Sequence, residues 1–489
     1  MKVRLSTKTV LGIIACLFSL YAIYFYSTTT YPNTVLFQGD EVDYQPMALN
    51  FARGHGLLRP GNLEPNADYK FVIEDQNIGY IDTFFNGKNR DEWKFTRNPG
   101  WPVVLGVIYM VFGNNPVWAY RMEMLFLIIS AVSLTWIGWK CWGKQGVWAG
   151  IPAGFVFLNL YREISERPLT EPLMILMLSL VFVWFIRFKE PPTRWRAVVM
   201  GLLLSFSLLV KGSFLFLPVL FPIYALLIFH KKLTRKKLLD TMGFLAIGIV
   251  IPLAIWSTYA SIKDGQFLFL SHQGQYLLQS GNNELTILQH GGWQKNWYKH
   301  ENMFYNQPDI KDLPITKQVV LFYFKFYRFI PRIIQNKLHV GFINFSFIKA
   351  FLLFYMLKNL FLIYRRSGNF HLQKTFVFLF FSGMAIFSYF EVYTLFVLSG
   401  AMAAFLMVSD QKRDPLIPAP FFLFLANTVL ITLMFFGEER FTYVIDGFFI
   451  LLCTHAFVYL AESLWKEARK NFPALHPIVQ NGFRLRLQD

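Results

Sequence analysis

Charged residues are scarce in this sequence. Only 16% of its 489 residues are Asp, Glu, Lys or Arg, whereas about a quarter are charged in soluble proteins. The deficit is concentrated in long apolar runs, for example 9–27 and 242–262, which reach the roughly 20 residues that a helix needs to cross a bilayer. The pattern argues against a soluble protein and predicts a protein embedded in a membrane.

Cysteine is almost absent, and no nucleotide-binding motif is present. The three cysteines, Cys16, Cys141 and Cys453, lie in or beside apolar runs and have neither the spacing of a disulfide framework nor that of a metal site. The chain has no Walker loop and no GxGxxG turn after a strand. Chemistry on the outer side of a membrane would therefore need a donor that the membrane itself carries.

The apolar runs predict an all-α, polytopic membrane protein of about 12 transmembrane helices. Every backbone group in lipid needs a partner within its own segment, which excludes isolated strands, and the short alternating segments of a β-barrel are not seen. The predicted spans lie near 9–27, 118–139, 147–161, 169–186, 197–210, 214–229, 242–262, 342–364, 375–390, 392–408, 416–436 and 441–461.

Charge alternates between successive loops. The net charge of +17 would suggest nucleic acid in a soluble protein, but here the basic residues cluster in every second loop, as in His230–Lys237. The intervening loops are mostly acidic. The positive-inside rule then places the basic loops and both termini in the cytoplasm. Membrane lipids with anionic headgroups are the expected partners of these cations, and no nucleic acid is expected.

Two outer loops are long, and they divide the chain. Residues 1–462 form the predicted transmembrane domain, with a first outer loop at 28–117, a second at 263–341, and a short cytoplasmic tail at 463–489. Each loop contains a semi-apolar stretch, near 97–113 and 319–334, that is typical of a helix lying on the outer leaflet. Loops of this length usually carry function.

A carboxylate cluster follows the first span. Asp40, Glu41 and Asp43 precede a predicted short helix over 44–53, with Asp43 as its N-cap. One interpretation is that these acids only cap the helix and add negative charge outside. The other is a general base at the membrane surface, close to a lipid-linked substrate.

Three further charges lie at predicted outer ends of spans. Glu171 is expected about one turn inside the fourth helix, where an acid is costly and faces a cavity or a partner; a structural pair with Arg167 is the alternative. Lys211 is a cation that either snorkels or contacts a lipid phosphate. Arg440 offers the forked guanidinium that phosphate favours.

Together these residues suggest group transfer. Carboxylates would deprotonate an acceptor hydroxyl while cations hold a phosphate on a lipid carrier, whose second pKa near 6 lets it leave without a general acid. A transporter or flippase of lipid-linked saccharides is the alternative function, although no internal repeat of the kind that transporters show is seen. A non-catalytic protein of envelope assembly is a third reading.

The order of the motifs resembles the C-type (GT-C) glycosyltransferases, specifically the group of protein O-mannosyltransferases and lipid A aminoarabinose transferases. That family opens its first outer loop with an Asp-Glu pair, then places an Arg-Pro stretch before an apolar helix and an acid at the next outer loop. The matching residues are Asp40, Glu41, Tyr44, Ala48, Arg97, Pro99–Pro102, Phe112, Gly113, Arg121, Thr170–Leu173, Lys211, Gly212, Pro218, Gly274–Asn283 and Arg440–Thr442.

The resemblance implies inverting transfer of a sugar from a polyprenyl-phosphate-linked donor to an extracytoplasmic glycan, lipid or protein. It implies Asp40 as the catalytic base, with Glu41 and Glu171 orienting the sugar or the acceptor. It implies that the substrate-binding residues are Asp43, Tyr44, Arg97, Lys211 and Arg440.

No cofactor is expected from the resemblance. A divalent metal on Asp40, Asp43 and Glu171 is left open, because the residue types would suit one. A single glycosylation sequon, Asn344–Ser346, favours the bacterial cytoplasmic (inner) membrane, with the site facing the periplasm or the exterior.

Overall fold

A computed structural model describes the chain in part. The described residues are 4–5, 7–28, 35–36, 41–54, 56–57, 71–72, 95, 97–113, 116–161, 169–187, 193–230, 232–288, 292, 304–342, 419–438, 440–471 and 486–487. The predicted spans at 342–364, 375–390 and 392–408 lie almost wholly outside these residues.

Helices make up nearly all of the described chain. They are α1 (Thr7–Thr28), α2 (Glu41–Ala52), α3 (Gly100–Phe112), α4 (Pro116–Trp142), α5 (Lys144–Tyr161), α6 (Glu171–Arg187), α7 (Arg194–Val210), α8 (Leu217–Phe229), α9 (Arg235–Asp264), α10 (Gln273–Ser280), α11 (Glu284–Leu288), α12 (Ile315–Lys325), α13 (Ile330–Phe342), α14 (Ala419–Met434) and α15 (Arg440–Asn471). Two parallel pairs of two-residue strands, Arg4–Leu5 with Arg486–Leu487 and Val35–Leu36 with Phe71–Val72, complete it. The all-α fold class is confirmed.

Three of these helices are long and apolar enough to cross a membrane by themselves. They lie at Val117–Trp142, Arg235–Asp264 and Phe441–Lys466. In the most apolar 18 residues of the Arg235–Asp264 helix, only 17% are buried inside the protein. The helix exposes Val250, Ile251 and Ile255. Apolar side chains left uncovered over such a length suit contact with lipid. The chain is therefore an integral membrane protein, as the composition predicts.

Small residues let the spans approach closely. A Cβ on Gly146 of α5 would lie 1.7 Å from the Gly138 carbonyl oxygen of α4, and one on Gly201 of α7 would lie 2.4 Å from the Leu245 carbonyl oxygen of α9. Helices in a bilayer associate through this kind of packing, because no hydrophobic effect drives them together there. Any larger residue at either glycine would separate the pair.

Two local predictions about helix starts are wrong. Helix α2 begins at Glu41, so Asp43 lies in its first turn and is not its N-cap. Helix α6 begins at Glu171, which is therefore its first residue and does not lie one turn inside. In both cases a carboxylate lies at a helix N-terminus, where the helix dipole stabilises negative charge.

Candidate active site

Asp43 forms the first of two ion pairs at the predicted outer side. Its Oδ2 accepts a hydrogen bond from Arg97 Nε at 2.8 Å, and the two side chains are 7% and 13% exposed. The Arg97 guanidinium also lies over the ring of Tyr44, 5.5 Å from its centroid. The pair joins α2 to the segment just before α3, which lies 54 positions away.

Further contacts, besides this ion pair, hold α2 against α3. The Tyr109 hydroxyl donates to Gln45 Oε1 at 2.8 Å, and a Cβ on Gly106 would lie 2.8 Å from the Ala48 carbonyl oxygen. Both contacts are buried. Asp43, Tyr44 and Arg97, which belong to the predicted first outer loop, are therefore held by a packed unit of two helices.

Glu171 and Lys211 form the second ion pair. Lys211 Nζ donates to Glu171 Oε1 at 2.7 Å, with the side chains 14% and 3% exposed respectively. The Thr170 hydroxyl donates to Glu171 Oε2 at 3.2 Å. Snorkelling of Lys211 is therefore wrong as an interpretation, because the ammonium lies against a buried carboxylate. Arg167, the alternative partner of Glu171, lies outside the described residues.

The two ion pairs are neighbours in the structure. Asn98, next to Arg97, donates from Nδ2 to the Leu208 carbonyl oxygen at 3.2 Å. A Cβ on Gly100 would lie 2.6 Å from the Val210 backbone nitrogen, and one on Gly212 would lie 3.1 Å from Asn98. The residues around the start of α3, Asn98 and Gly100, thus pack on the last turn of α7, directly before Lys211.

The side chains of three predicted site residues lie outside the described part of the structure. Asp40 lies outside the described residues, directly before α2. Glu41 and Arg440 are the first residues of α2 and α15, and their side chains are not described. The roles of these three residues stay predictions.

A metal site is not seen among the described residues. Within those ranges, no group of three or more His, Cys, Asp or Glu side chains is placed to hold a metal ion. Asp43 and Glu171 each face a cation instead. Because Asp40 is not described, the set of Asp40, Asp43 and Glu171 stays untested.

Sequence reasoning missed two acids inside predicted spans. Asp446 of α15 accepts a hydrogen bond from the Tyr161 hydroxyl at 2.6 Å, and Glu123 of α4 is 0% exposed. A carboxylate within a transmembrane helix is a functional candidate by default. That rule, applied to the runs 118–139 and 441–461, would have found both.

Comparison with known proteins finds a distant structural likeness. No family model and no curated protein matches the chain. The chain is similar to the "Crystal Structure of ArnT from Cupriavidus metallidurans bound to Undecaprenyl phosphate", over 97% of this chain and 80% of that chain, with a TM-score of 0.38 and 12% sequence identity. A likeness at this level gives the chain neither an activity nor a ligand.

Proposed function

We propose that the chain is a membrane glycosyltransferase that moves a sugar from a polyprenyl-phosphate-linked donor to an extracytoplasmic acceptor with inversion. One observation carries the proposal: the largely buried Lys211–Glu171 pair lies directly beside the segment that bears Arg97 and its partner Asp43. These neighbouring pairs offer both acids and cations at the predicted outer face.

Lys211 suits the phosphate of the donor. An ammonium group has three N–H donors, and among the described residues Lys211 Nζ uses one of them on Glu171. The remaining donors are available to a phosphate oxygen. Glu171 holds the ammonium group in place through the ion pair. In this proposal Glu171 also contacts the sugar or the acceptor.

Asp40 is proposed as the general base. It directly precedes α2, whose Asp43 is already held by Arg97, so of these two acids Asp40 is the one assigned to proton transfer. Asp40 removes the proton of an acceptor hydroxyl, and that oxygen forms a bond to the anomeric carbon. The bond between the anomeric carbon and the phosphate oxygen breaks, and polyprenyl phosphate leaves with its charge balanced by Lys211 and Arg440.

The proposed setting is the bacterial cytoplasmic membrane, with the site facing the periplasm or the exterior. The alternation of loop charge supports this orientation. A membrane-borne donor would reach the site from the outer leaflet, which fits the exposed apolar faces of the long helices.

The first test is substitution of the base. Purified protein supplied with a radiolabelled polyprenyl-phosphate sugar and a mixture of envelope acceptors should release free polyprenyl phosphate. Asp40→Asn should lower kcat by about 100-fold or more, as expected for loss of a general base.

Asp312→Asn serves as the matched control, because Asp312 is an exposed acid of the second outer loop. Its turnover should equal that of the wild type. Wild-type turnover by Asp40→Asn would remove Asp40 from the mechanism, and movement of intact donor across the bilayer without release of phosphate would support a flippase.

A further inference from the structure

The turn that carries Lys211 lacks a side-chain cap at its N-cap positions, Lys211 and Phe216. After α7 the chain makes a short 3-10 helix, Gly212–Phe214, and then enters α8 with Phe216 at the N-cap position, where no side chain of the turn caps the helix. Backbone N–H and C=O groups at such a junction need partners when they are buried. Those partners come from another helix.

Asn427 of α14 supplies both partners. Its Nδ2 donates to the Ser213 carbonyl oxygen at 2.8 Å, and its Oδ1 accepts from the Phe216 N–H at 3.2 Å. Its side chain is completely buried. A side-chain amide donates from its nitrogen and accepts at its oxygen without carrying charge, so Asn427 takes the place of a backbone peptide group.

Lys211 is thereby held from two sides. Asn98 fixes the Leu208 carbonyl on the side of the first outer loop, and Asn427 fixes Ser213 and Phe216 on the side of α14. Lys211 lies between these two fixed points in the chain. Its direction therefore depends on the turn keeping its shape.

We propose that Asn427 is a positioning residue of the phosphate site, acting through the Lys211 turn. The inference rests on the proposed function, because it takes Lys211 as the contact for the phosphate of the lipid-linked donor. Without the amide, the 3-10 turn relaxes and Lys211 Nζ moves away from both Glu171 and the phosphate. A displacement of about 1 Å at a reacting group can cost up to about 100-fold.

Asn427→Leu tests the inference, with Asn427→Asp as a second variant. Leu keeps the branching and the number of heavy atoms of Asn and removes both hydrogen bonds, whereas Asp keeps an acceptor for the Phe216 N–H. The KM for the polyprenyl-phosphate sugar should rise about 10- to 100-fold in Asn427→Leu. Asn427→Asp should show a smaller rise. In both, inhibition by free polyprenyl phosphate should weaken in parallel, because product and donor share the phosphate contact.

Thr428→Val is the matched control. Thr428 is the adjacent buried polar residue, and its hydroxyl bonds to the Phe424 carbonyl of its own helix at 3.0 Å, so its loss should leave the KM for the donor unchanged. If Asn427→Leu cannot be purified in a folded state, the KM and the inhibition constant of Asn427→Asp serve as the test. A wild-type KM and a wild-type inhibition constant in the folded variant overturn the inference, whereas no release of phosphate by the wild type overturns the proposed function itself.

Discussion

Lys211 and Glu171 carry opposite charges where little water reaches them. Their side chains are 14% and 3% exposed and 2.7 Å apart. Two charges in such a place are costly to remove from water, and their attraction offsets that cost only while both are present. The pair therefore contributes to stability as well as to the proposed site, and the two roles can be separated by mutation.

Lys211→Met alone should lower the free energy of unfolding by about 3–5 kcal/mol, because it removes the cation that faces the buried Glu171 carboxylate. The double variant Glu171→Gln with Lys211→Met removes both charges and should recover most of that stability. It should not recover binding of the donor. Thermal unfolding in detergent and the phosphate-release assay measure the two effects.

Activity restored in the double variant would contradict a role for Lys211 in binding phosphate. It would show instead that the pair only maintains the fold.

At the scale of residues, the sequence predicted the types of site residue better than their partners. Glu171 and Lys211 stand out because charge at the end of a span is costly. Their pairing could not be predicted, because they lie 40 positions apart on different helices, and the nearer Arg167 offered a local partner. The pairing of Asp43 with Arg97 could not be predicted either, because these residues lie 54 positions apart.

At the scale of elements, Lys337 connects the predicted second outer loop to the end of α14. It is fully buried on α13, and its Nζ donates to Asn282 Oδ1 at 2.5 Å and to the Leu433 carbonyl oxygen at 2.8 Å. Asn282 also donates to the Met434 carbonyl oxygen at 2.8 Å. The last carbonyls of a helix have no partner within it, so Lys337 and Asn282 cap the C-terminal end of α14. Burial lowers the pKa of Lys337 well below that of an exposed lysine.

The lowered pKa gives a dependence of stability on pH. Between the folded pKa of Lys337 and the unfolded value of about 10.4, the unfolded chain binds one more proton, so stability rises with pH across that window. The stability of the wild type relative to Lys337→Met should therefore increase from pH 7 to pH 10 in thermal unfolding. Tyr323, which donates to Asn282, has its pKa raised by burial to about 12 and stays protonated.

Lys317→Met is the matched control for this series, because Lys317 is an exposed lysine on α12. Its stability difference from the wild type should stay constant with pH. The same constancy in Lys337→Met would mean that Lys337 titrates alike in the folded and unfolded chain.

Helix positions followed from hydropathy, but helix starts did not. The predicted spans 118–139 and 242–262 lie within the observed Pro116–Trp142 and Arg235–Asp264, because an apolar run defines where a helix can exist in lipid. Helices α2 and α9 begin with polar residues, before their apolar residues. Hydropathy does not predict where such polar ends begin. The 3-10 turn after Lys211, and Asn427 that holds it, depend on packing between distant helices.

At the scale of the whole molecule, the orientation of the site follows from loop charge alone. The described helices place the two ion pairs next to each other, but the side of the membrane remains a prediction from the positive-inside rule. The fold class followed from composition, since a chain with so little charge and such long apolar runs has few alternatives to a helical bundle in lipid.

The stereochemistry and stoichiometry of one turnover test the central claim most directly. Purified protein would be given a polyprenyl-phosphate sugar of known anomeric configuration, and the glycosylated acceptor and the lipid product would both be analysed. The proposal predicts one free polyprenyl phosphate for each sugar transferred and an inverted anomeric centre in the product. A retained configuration, or lipid-linked sugar recovered intact on the other side of the bilayer, would contradict it.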